Sequence, residues 1–274
     1  LPPGALIHVG REPAAASRIT VMSYSGDHCE EHPAATVDDI LRLRVAGVTL
    51  WVHCEGLDMV ATLEAIGRSF AVHPLVLEDI LNTHQRPKFE EYDDYLFLVL
   101  KTLSGDQTLK VEHEQISMLL FQDLIFTFRE KSDDLFQGLR QRLTNAKGRI
   151  RALGADYLTY AVMDLVVDHY FALADTLEES IEKIELKLLS QPQPQIFATI
   201  QLLKRQLVFI RKAITPLRDV LLAVQRSENP LIQERTLPYL RDVYDHTLRV
   251  IDTMDSYRDL INGRLDLHPP SASN

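Results

Sequence analysis

The feature that most constrains the fold of this chain is a change in sequence character near residue 132. Before that point, short runs rich in β-branched and aromatic residues alternate with amphipathic stretches, a pattern typical of strands and helices that share one sheet. From Asp133 onward no convincing strand signal remains, and the hydrophobic spacing is helical. The sequence therefore predicts an α+β fold: an α/β/α-type N-terminal domain with a mixed or antiparallel sheet, followed by long helices.

Six strands and two helices are predicted in the first half. Only Gln122 and Asp123 separate the last two strands, which predicts a two-residue hairpin turn. Pro74 suits the first position of the second helix, since the N–H that it lacks would be unpaired there in any case. The predicted strands are residues 5–9, 18–23, 48–54, 95–103, 111–121 and 124–129, and the predicted helices are residues 57–70 and 73–81.

The second half is predicted to contain four helices, at residues 133–145, 155–190, 196–225 and 238–268. Pro192 and Pro194 lie between the second and third of them and cannot sit inside a helix. They therefore predict the turn of an antiparallel hairpin of two long helices. We expect three regions: an N-terminal α/β domain at 1–132, a helical region containing the long hairpin at 133–230, and a stalk helix at 231–274.

The predicted stalk helix carries two stripes at near-heptad spacing. The apolar stripe predicts a bundle-forming seam and consists of Leu240, Tyr244, Thr247, Ile251, Met254, Ile261 and Leu265. The polar stripe consists of Asp245, Asp252, Asp255, Asp259, Asn262 and Asp266. These acids either coat a solvated face, with Arg249, Arg258 and Arg264 as intrahelical partners, or form stacked carboxylate rings that concentrate cations in a parallel homo-oligomer.

Composition and motifs exclude several classes of function. The 39 acidic and 29 basic residues give a formal net charge of −10, which disfavours a nucleic-acid partner and suits cations. No Gly-rich phosphate loop, nucleophile elbow or His-Glu-x-x-His zinc helix occurs in the sequence, so we expect no enzymatic activity. The two cysteines, Cys29 and Cys54, indicate a reducing compartment. No run of about 18 apolar residues occurs, so the chain as given is expected to be soluble.

Carboxylates in apolar surroundings are the candidate metal ligands. Glu78 and Asp79 lie in an otherwise apolar helix, and Asp164 interrupts an apolar stretch. Asp242 and His246 share one face of a helix. Each of them alone is typical of a salt bridge or a helix cap, and Asp79 could pair with a local arginine or lysine. A hydrated Mg²⁺ ion between two protomers, however, needs only one or two carboxylates from each.

Several segments of the chain resemble the CorA family of divalent-cation channels. The first is His-Pro-Leu-Val-Leu-Glu-Asp-Ile-Leu-Asn-Thr-His-Gln-Arg-Pro-Lys at residues 73–88, followed by the predicted strand at 95–101. The others are Ala-Asp-Tyr-Leu at 155–158, Pro-Tyr-Leu-Arg-Asp-Val-Tyr-Asp-His-Thr at 238–247 and Tyr-Arg-Asp at 257–259. The resemblance runs from Leu1 to Asn274 without a large gap.

The resemblance implies a homopentamer with a cytoplasmic α/β domain, a hairpin of two long helices and a stalk helix that continues into the first of two membrane-spanning helices. Both spans and the family's Gly-Met-Asn motif are absent from the 274 residues. We therefore expect the chain to be the cytoplasmic portion of such a channel, held on the inner side of the cell membrane by helices beyond its end. Without those helices it is expected to be a monomer or a lower oligomer.

By position, the resemblance also implies the metal sites. Asp79 and Asp242 match a divalent-cation site between protomers, and Glu78, Asp164 and His246 match residues near a second, adjoining site. Asp266 matches an acid near the cytoplasmic neck of the pore, and Asp259 lies one heptad earlier, so these two are the expected acidic ring of the stalk.

The implied function is uptake of Mg²⁺, with Co²⁺ as a second ion, through a channel that Mg²⁺ bound between protomers closes. Alternatives stay open at this stage. A transporter of Co²⁺, Ni²⁺ or Zn²⁺ in the same family would make use of the His246 imidazole, which suits those ions better than Mg²⁺. A structural or interaction protein with a helical stalk would use no metal. A metal-dependent hydrolase would be the enzymatic alternative, although no motif encodes one.

Overall fold

The computed structural model describes residue 6 and residues 17–106, 108–190 and 194–267. These residues form seven strands and seven helices, the last three of them long. The strands are β1 (Arg18–Tyr24), β2 (Cys29–Pro33), β3 (Thr49–Glu55), β4 (Lys88–Glu91), β5 (Leu96–Gly105), β6 (Val111–Leu120) and β7 (Leu124–Arg129). The helices are α1 (Val37–Leu43), α2 (Val60–Phe70), α3 (Pro74–Leu81), α4 (Gln137–Thr144), α5 (Ala155–Ser190), α6 (Pro194–Arg226) and α7 (Leu237–Leu267).

All seven of these strands form one sheet in the order β2-β1-β3-β7-β6-β5-β4. β3 and β7 pair in parallel, with Leu50 opposite Leu124 and Glu55 opposite Arg129, whereas the other neighbouring pairs are antiparallel. The expectation of a mixed sheet is therefore confirmed. The predicted hairpin between β6 and β7 is also confirmed, because the Phe121 N–H donates to the Leu124 carbonyl at 2.8 Å across the two-residue turn.

Three short elements in the structure are not predicted by the sequence pattern. β2 and β4 are the two edge strands of the sheet and consist mostly of exposed or half-buried polar residues, so neither shows hydrophobic alternation. α1 has only seven residues and begins at a capping box, in which Thr36 and Asp39 each bond the other's backbone N–H. The predicted strand at residues 5–9 lies outside the described residues, except for Leu6.

The sheet lies between two layers of helices, and each of its faces packs against one layer. Successive residues of β3 point to opposite faces: Trp51 belongs to the hydrophobic core shared with the long helices, and Val52 to the core shared with α1, α2 and α3. In that second core, Ile40, Leu63 and Ile80 are fully buried. The α/β/α layering agrees with the predicted fold, with one of the two helix layers supplied by helices beyond residue 132.

α6 and α7 run antiparallel within the layer of long helices. Near the C-terminal end of α6, the Gln225 side-chain amide donates to the Leu240 carbonyl at 3.2 Å. Arg211, which is earlier in α6, forms an ion pair with Asp255, which is later in α7. Contacts thus move toward the start of α6 as they move toward the end of α7. α6 begins at Pro194, the first helical position, where proline is tolerated. The predicted turn residues 191–193 lie outside the described residues.

α5 and α7 run parallel. The ring of Tyr157, near the start of α5, packs against Tyr239 at a centroid distance of 5.1 Å, and Phe171 packs against His246 at 6.0 Å. Because α6 is antiparallel to α7 and α5 is parallel to it, α5 and α6 are antiparallel to each other, as the predicted hairpin requires.

Most of the predicted apolar seam of α7 is buried within the chain, whereas its members Tyr244 and Ile251 are half-buried. α7 directs one face toward α5 and α6, and the residues buried on that face are Leu240, Val243, Thr247, Val250, Met254 and Ile261. The seam prediction omits Val243 and Val250, and the side chain of Leu265 lies outside the described residues. Among the helices that the structure describes, none is both long and apolar enough to cross a membrane.

Candidate functional site

Asp79 lies on α3, a short helix that the sequence starts with a clear signal. His73 is its N-cap, with Nδ1 accepting the Leu75 N–H at 3.2 Å, and Pro74 is its first residue. The apolar residues of α3 face the core beside the sheet and are buried: Val76, Leu77, Ile80 and Leu81. This packing leaves Glu78 and Asp79 half-buried on the remaining face of the helix.

The Asp79 carboxylate is already held by two side chains of the same chain. Lys88 Nζ lies 2.5 Å from Oδ2, and the Gln85 amide donates to Oδ1 at 2.7 Å. Lys88 also contacts Glu90 Oε1 at 2.8 Å. Burial lowers the pKa of Lys88, but the bonds from Asp79 and Glu90 outweigh it and raise the pKa above its usual value. The expectation that Asp79 could pair with a local lysine is thus confirmed, with Lys88 as the partner.

Asp242, on α7, is much more open. Its side chain is 63% exposed, and His246 Nε2 lies 3.7 Å away, beyond hydrogen-bonding distance. The two residues share the helix face predicted by their spacing, and the His246 ring packs against Phe171 of α5. The Asp242 side chain is therefore largely accessible to water or to a hydrated ion.

Asp164 of α5 lies beside Asp242 and His246. It is half-buried, and the Tyr160 hydroxyl donates to its Oδ2 at 3.4 Å. Burial and the Asp168 carboxylate raise the pKa of Asp164, and Asp242 adds to this effect, whereas His246 acts in the opposite direction. The packing of α5 against α7 therefore brings three predicted site residues into one acidic cluster.

The predicted site residues fall into two groups within one chain. Asp164, Asp242 and His246 share the α5–α7 interface, whereas Glu78 and Asp79 lie on α3, and Asp79 contacts β4 and the loop before it instead of Asp242. Among the described residues, no three His, Cys, Asp or Glu side chains are placed to hold a metal ion within a single chain.

The residues that sequence reasoning missed are Gln85, Lys88 and Tyr160. Gln85 and Lys88 lie in the polar C-terminal part of the segment at residues 73–88. Those polar residues were the sequence signal that could have indicated a partner for Asp79. Tyr160 lies four residues before Asp164 on the same helix, which is the spacing of side chains that touch.

The acids of the stalk helix have mixed surroundings. Asp255 pairs with Arg211 of α6 and with Arg258, and Asp259 is 71% exposed with Arg258 Nη2 at 3.0 Å. The interpretation of this stripe as a solvated face with intrahelical arginine partners therefore holds for Arg258. Asp266 belongs to α7, but its side chain lies outside the described residues.

These donors fit a hydrated divalent cation better than a dehydrated one. Mg²⁺ prefers oxygen ligands and keeps several of its waters, so it can be bound by one or two carboxylates from each contributor. The Asp242 side chain is largely open to solvent. Burial, together with the Asp168 carboxylate, raises the pKa of Asp164, so a cation nearby would stabilise its charged form.

Fold and acidic surface together define the class: an α+β domain that carries long helices and candidate sites for hydrated cations. The chain belongs to the CorA family, because the family model described as CorA-like Mg²⁺ transporter protein matches residues 46–268. The resemblance found in the sequence is thus confirmed. Since this family consists of transport proteins, the expectation that the chain is not an enzyme is confirmed as well.

Individual relatives support the assignment. The cobalt/magnesium transport protein CorA of Thermotoga maritima is 40% identical over 275 residues, which cover 100% of this chain and 78% of that protein. The cobalt/magnesium transport protein CorA of Methanocaldococcus jannaschii is 23% identical over 190 residues, covering 68% of this chain and 59% of that protein.

A solved structure shares the fold. The soluble domain of CorA from Methanocaldococcus jannaschii matches with a TM-score of 0.72 at 20% identity, covering 90% of this chain and 95% of that one. This match confirms the predicted α+β fold with long C-terminal helices.

Proposed function

We propose that the chain is the ion-sensing and gating portion of a CorA-type channel for the uptake of Mg²⁺, and of Co²⁺ as a second ion. In the full-length protein it would form a homopentamer on the cytoplasmic side of the cell membrane, joined to the membrane by helices that follow α7. The observation that carries the proposal is the 40% identity of the whole chain to the Thermotoga maritima cobalt/magnesium transport protein.

The proposed sensor is a pair of sites between protomers. Asp79 of one protomer and Asp242 of its neighbour hold one hydrated Mg²⁺ ion, and Glu78, Asp164 and His246 surround a second. Within one chain, Asp79 on α3 contacts Lys88, and Asp242 on α7 lies near His246, so the two carboxylates do not contact each other. This arrangement supports a site in which each carboxylate comes from a different protomer. Asp242 is open to that neighbour, since its side chain is 63% exposed.

Electrostatic repulsion would couple the sensor to the gate. Two carboxylates about 4 Å apart repel by about 1 kcal/mol in water and by about 4 kcal/mol at the effective dielectric constant typical near a protein surface. A bound divalent ion removes this repulsion and holds the protomers in a closed arrangement. When Mg²⁺ falls, the sites empty, the subunits separate, and the stalk helices move.

The energy needed for gating is small per site. Shifting a two-state equilibrium from 1:99 to 99:1 takes about 5.5 kcal/mol of differential binding. Distributed over the five interfaces of a pentamer, this is about 1 kcal/mol each, so weak sites suffice. The ion acts only through its difference in affinity between the closed and open states.

The stalk would supply the ion path below the membrane. In the proposed pentamer, Asp259 and Asp266 form acidic rings around the central axis, where stacked carboxylates raise the local concentration of cations. The high exposure of Asp259 on one chain supports this role, because a ring-forming side chain must be free to face the axis.

Substitution of both carboxylates of the first site tests the proposal. Asp79→Asn combined with Asp242→Asn keeps the side-chain shapes but removes two charges, so Mg²⁺ should no longer bind there. In the unsubstituted chain, trypsin digestion should slow as Mg²⁺ rises through the millimolar range, and in the double variant this protection should be lost. Sedimentation velocity with and without Mg²⁺ reports whether protection accompanies association of protomers.

A matched control removes two charges elsewhere. Asp27→Asn combined with Asp38→Asn changes the net charge equally, and both residues are exposed. This control should keep Mg²⁺-dependent protection. Full protection of the Asp79/Asp242 variant, or equal loss in the control, would refute the assignment of the sensor to these two residues.

Calorimetry separates the proposed ion from the alternatives. Titration with Mg²⁺, Co²⁺ and Zn²⁺ should show carboxylate-dependent binding of Mg²⁺ that His246→Ala leaves intact, because imidazole is a poor ligand for that ion. Binding of Co²⁺ or Zn²⁺ alone, lost in His246→Ala, would favour a transporter of those ions. A purely structural protein predicts no carboxylate-dependent heat with any of them.

A further inference from the structure

The ammonium group of Lys88 occupies a place that suits a cation. Asp79 Oδ2 lies 2.5 Å from Lys88 Nζ, and Glu90 Oε1 lies 2.8 Å from it, so two carboxylates converge on one point. The aromatic face of Phe97 lies below the same nitrogen, 5.2 Å from the ring centroid. Ring face and carboxylates all favour positive charge at this position.

The surrounding structure holds this arrangement in place. Lys88 and Glu90 are two residues apart on β4, so their side chains share one face of the strand. β4 is hydrogen-bonded to β5, with Glu90 directly opposite Phe97. The Tyr92 hydroxyl donates to the second oxygen of Glu90 at 3.1 Å, and Lys88 is only 26% exposed. The lysine is therefore a fixed counter-ion of Asp79 and not a mobile surface side chain.

We infer that Lys88 is an internal competitor of the divalent cation at Asp79 and thereby sets how much Mg²⁺ the sensor needs. This inference rests on the proposed function, because it takes Asp79 as a ligand of the regulatory ion. It adds a determinant of affinity: each protomer carries its own tethered cation, which Asp79 shares with Glu90. The three groups together keep a net negative charge, and the lysine opposes the approach of Mg²⁺.

The size of the effect follows from the charges. Mg²⁺ keeps several of its waters, so an ion held to Asp79 through one water would be separated from Lys88 Nζ by several ångströms, and we take this distance as about 6 Å. A single positive charge at that distance from a divalent ion weakens binding about ten-fold in fully hydrated surroundings, and more at a lower effective dielectric constant. Removal of the lysine charge should therefore lower the Mg²⁺ midpoint about ten-fold or more.

Lys88→Met tests the inference, because methionine keeps most of the buried length of the side chain and loses the charge. The Mg²⁺ midpoint of trypsin protection and the calorimetric Mg²⁺ affinity are measured for the unsubstituted chain, Lys88→Met and Lys88→Arg. Lys88→Met should shift the midpoint about ten-fold lower, whereas Lys88→Arg, which retains the charge, should stay close to the original value. Lys110→Met is the matched control, since Lys110 is a 72% exposed lysine paired with Glu112.

A second variant separates competition from the creation of a new site. Loss of Lys88 leaves Asp79 beside Glu90, and these two could bind Mg²⁺ within one protomer. In the Glu90→Gln background, Lys88→Met should still lower the Mg²⁺ midpoint about ten-fold relative to Glu90→Gln alone, because both proteins then lack the Glu90 carboxylate. Equal midpoints of Glu90→Gln with and without Lys88→Met would overturn the inference.

Failure of the inference and failure of the proposed function give different results. If Asp79 is no ligand of the regulatory ion, Asp79→Asn leaves the Mg²⁺ midpoint of the unsubstituted chain unchanged, and the proposed function fails first. If Asp79→Asn abolishes the response but Lys88→Met leaves the midpoint unchanged or moves it as far as Lys110→Met does, the role of Lys88 is refuted while the sensor stands.

Discussion

The buried ion pair between Arg129 and Glu114 provides a sharp test of how the sheet is stabilised. Both side chains are almost completely buried, with exposures of 1% and 5%. Glu114 accepts a bond from Arg129 Nη2 at 2.5 Å and another from the Lys131 N–H at 2.9 Å. Burial raises the pKa of Glu114, and the Arg129 guanidinium acts against that rise. Glu114→Gln preserves the shape of the side chain and removes the negative charge.

The expected cost follows from the charge that is left behind. Removing one partner of a buried pair costs about 3–5 kcal/mol, because the other charge stays buried without compensation. Asp133 lies 2.8 Å from Arg129 Nη1 and is 52% exposed, so it offsets part of this loss. We therefore expect Glu114→Gln to lower the free energy of unfolding by about 3 kcal/mol, the lower end of the range.

Urea denaturation followed by tryptophan fluorescence measures this cost. Trp51 is the one tryptophan of the chain, is 1% exposed, and donates to the Thr127 hydroxyl at 2.9 Å on the strand that carries Arg129. Glu112→Gln is the control, because Glu112 pairs with the exposed Lys110 and should cost less than about 1 kcal/mol.

An equal, small effect of Glu114→Gln and its control would refute the reasoning about burial. Replacement of both partners, as in Arg129→Met with Glu114→Leu, should recover much of the loss, since apolar side chains of similar volume leave no buried charge. A double variant as unstable as Glu114→Gln would show that packing, and not the orphaned charge, accounts for the cost.

Two further predictions concern acid stability and helix packing. His53 and Arg18 hold the pKa of Glu55 at about 2, below its ordinary 4.5, so the stabilisation from Glu55 is complete above pH 4.5 and is lost as the pH falls toward 2. Acid denaturation of Glu55→Gln should therefore show a smaller fall in stability over that interval than the unsubstituted chain; an identical pH profile would contradict the assignment. On α7, Met254→Ala should lower the free energy of unfolding by about 2–5 kcal/mol, because Met254 is 2% exposed. Leu260 is 41% exposed, so Leu260→Ala should cost clearly less in the same urea experiment. Equal effects would mean that α7 does not pack against the rest of the chain as described.

Much of the fold was predictable because strands and helices of sufficient length carry their periodicity in the sequence. α5 matches its predicted bounds at residues 155–190, and α7 differs from its prediction by one residue at each end. The elements that escaped prediction are those without a periodic apolar face. β2 and β4 close the edges of the sheet with charged residues, and their strand conformation depends on the neighbour they pair with.

The sequence predicts candidate site residues, and these stay predictions, but it does not predict their contacts. Asp79 and Asp242 stand out because carboxylates in apolar or periodic surroundings are unusual, and the resemblance of the motifs assigns them a role. The ion pair between Lys88 and Asp79 depends on the packing of β4 beside α3, which no local pattern encodes, although the two residues are only nine positions apart. Likewise, Asp242 and His246 influence the pKa of Asp164 only because α5 and α7, more than 70 residues apart, are in contact.

The sequence by itself determined the order of elements, the break in character near residue 132, the two-residue hairpin and the family, because each of these depends on residue types at short spacings. Only the tertiary structure decided that the seam of α7 is filled by α5 and α6, that Asp164, Asp242 and His246 form one cluster, and that Lys88 supplies the charge opposite Asp79. The physical reason is that burial and Coulomb interaction depend on distance in space, and folding brings together side chains that are far apart along the chain.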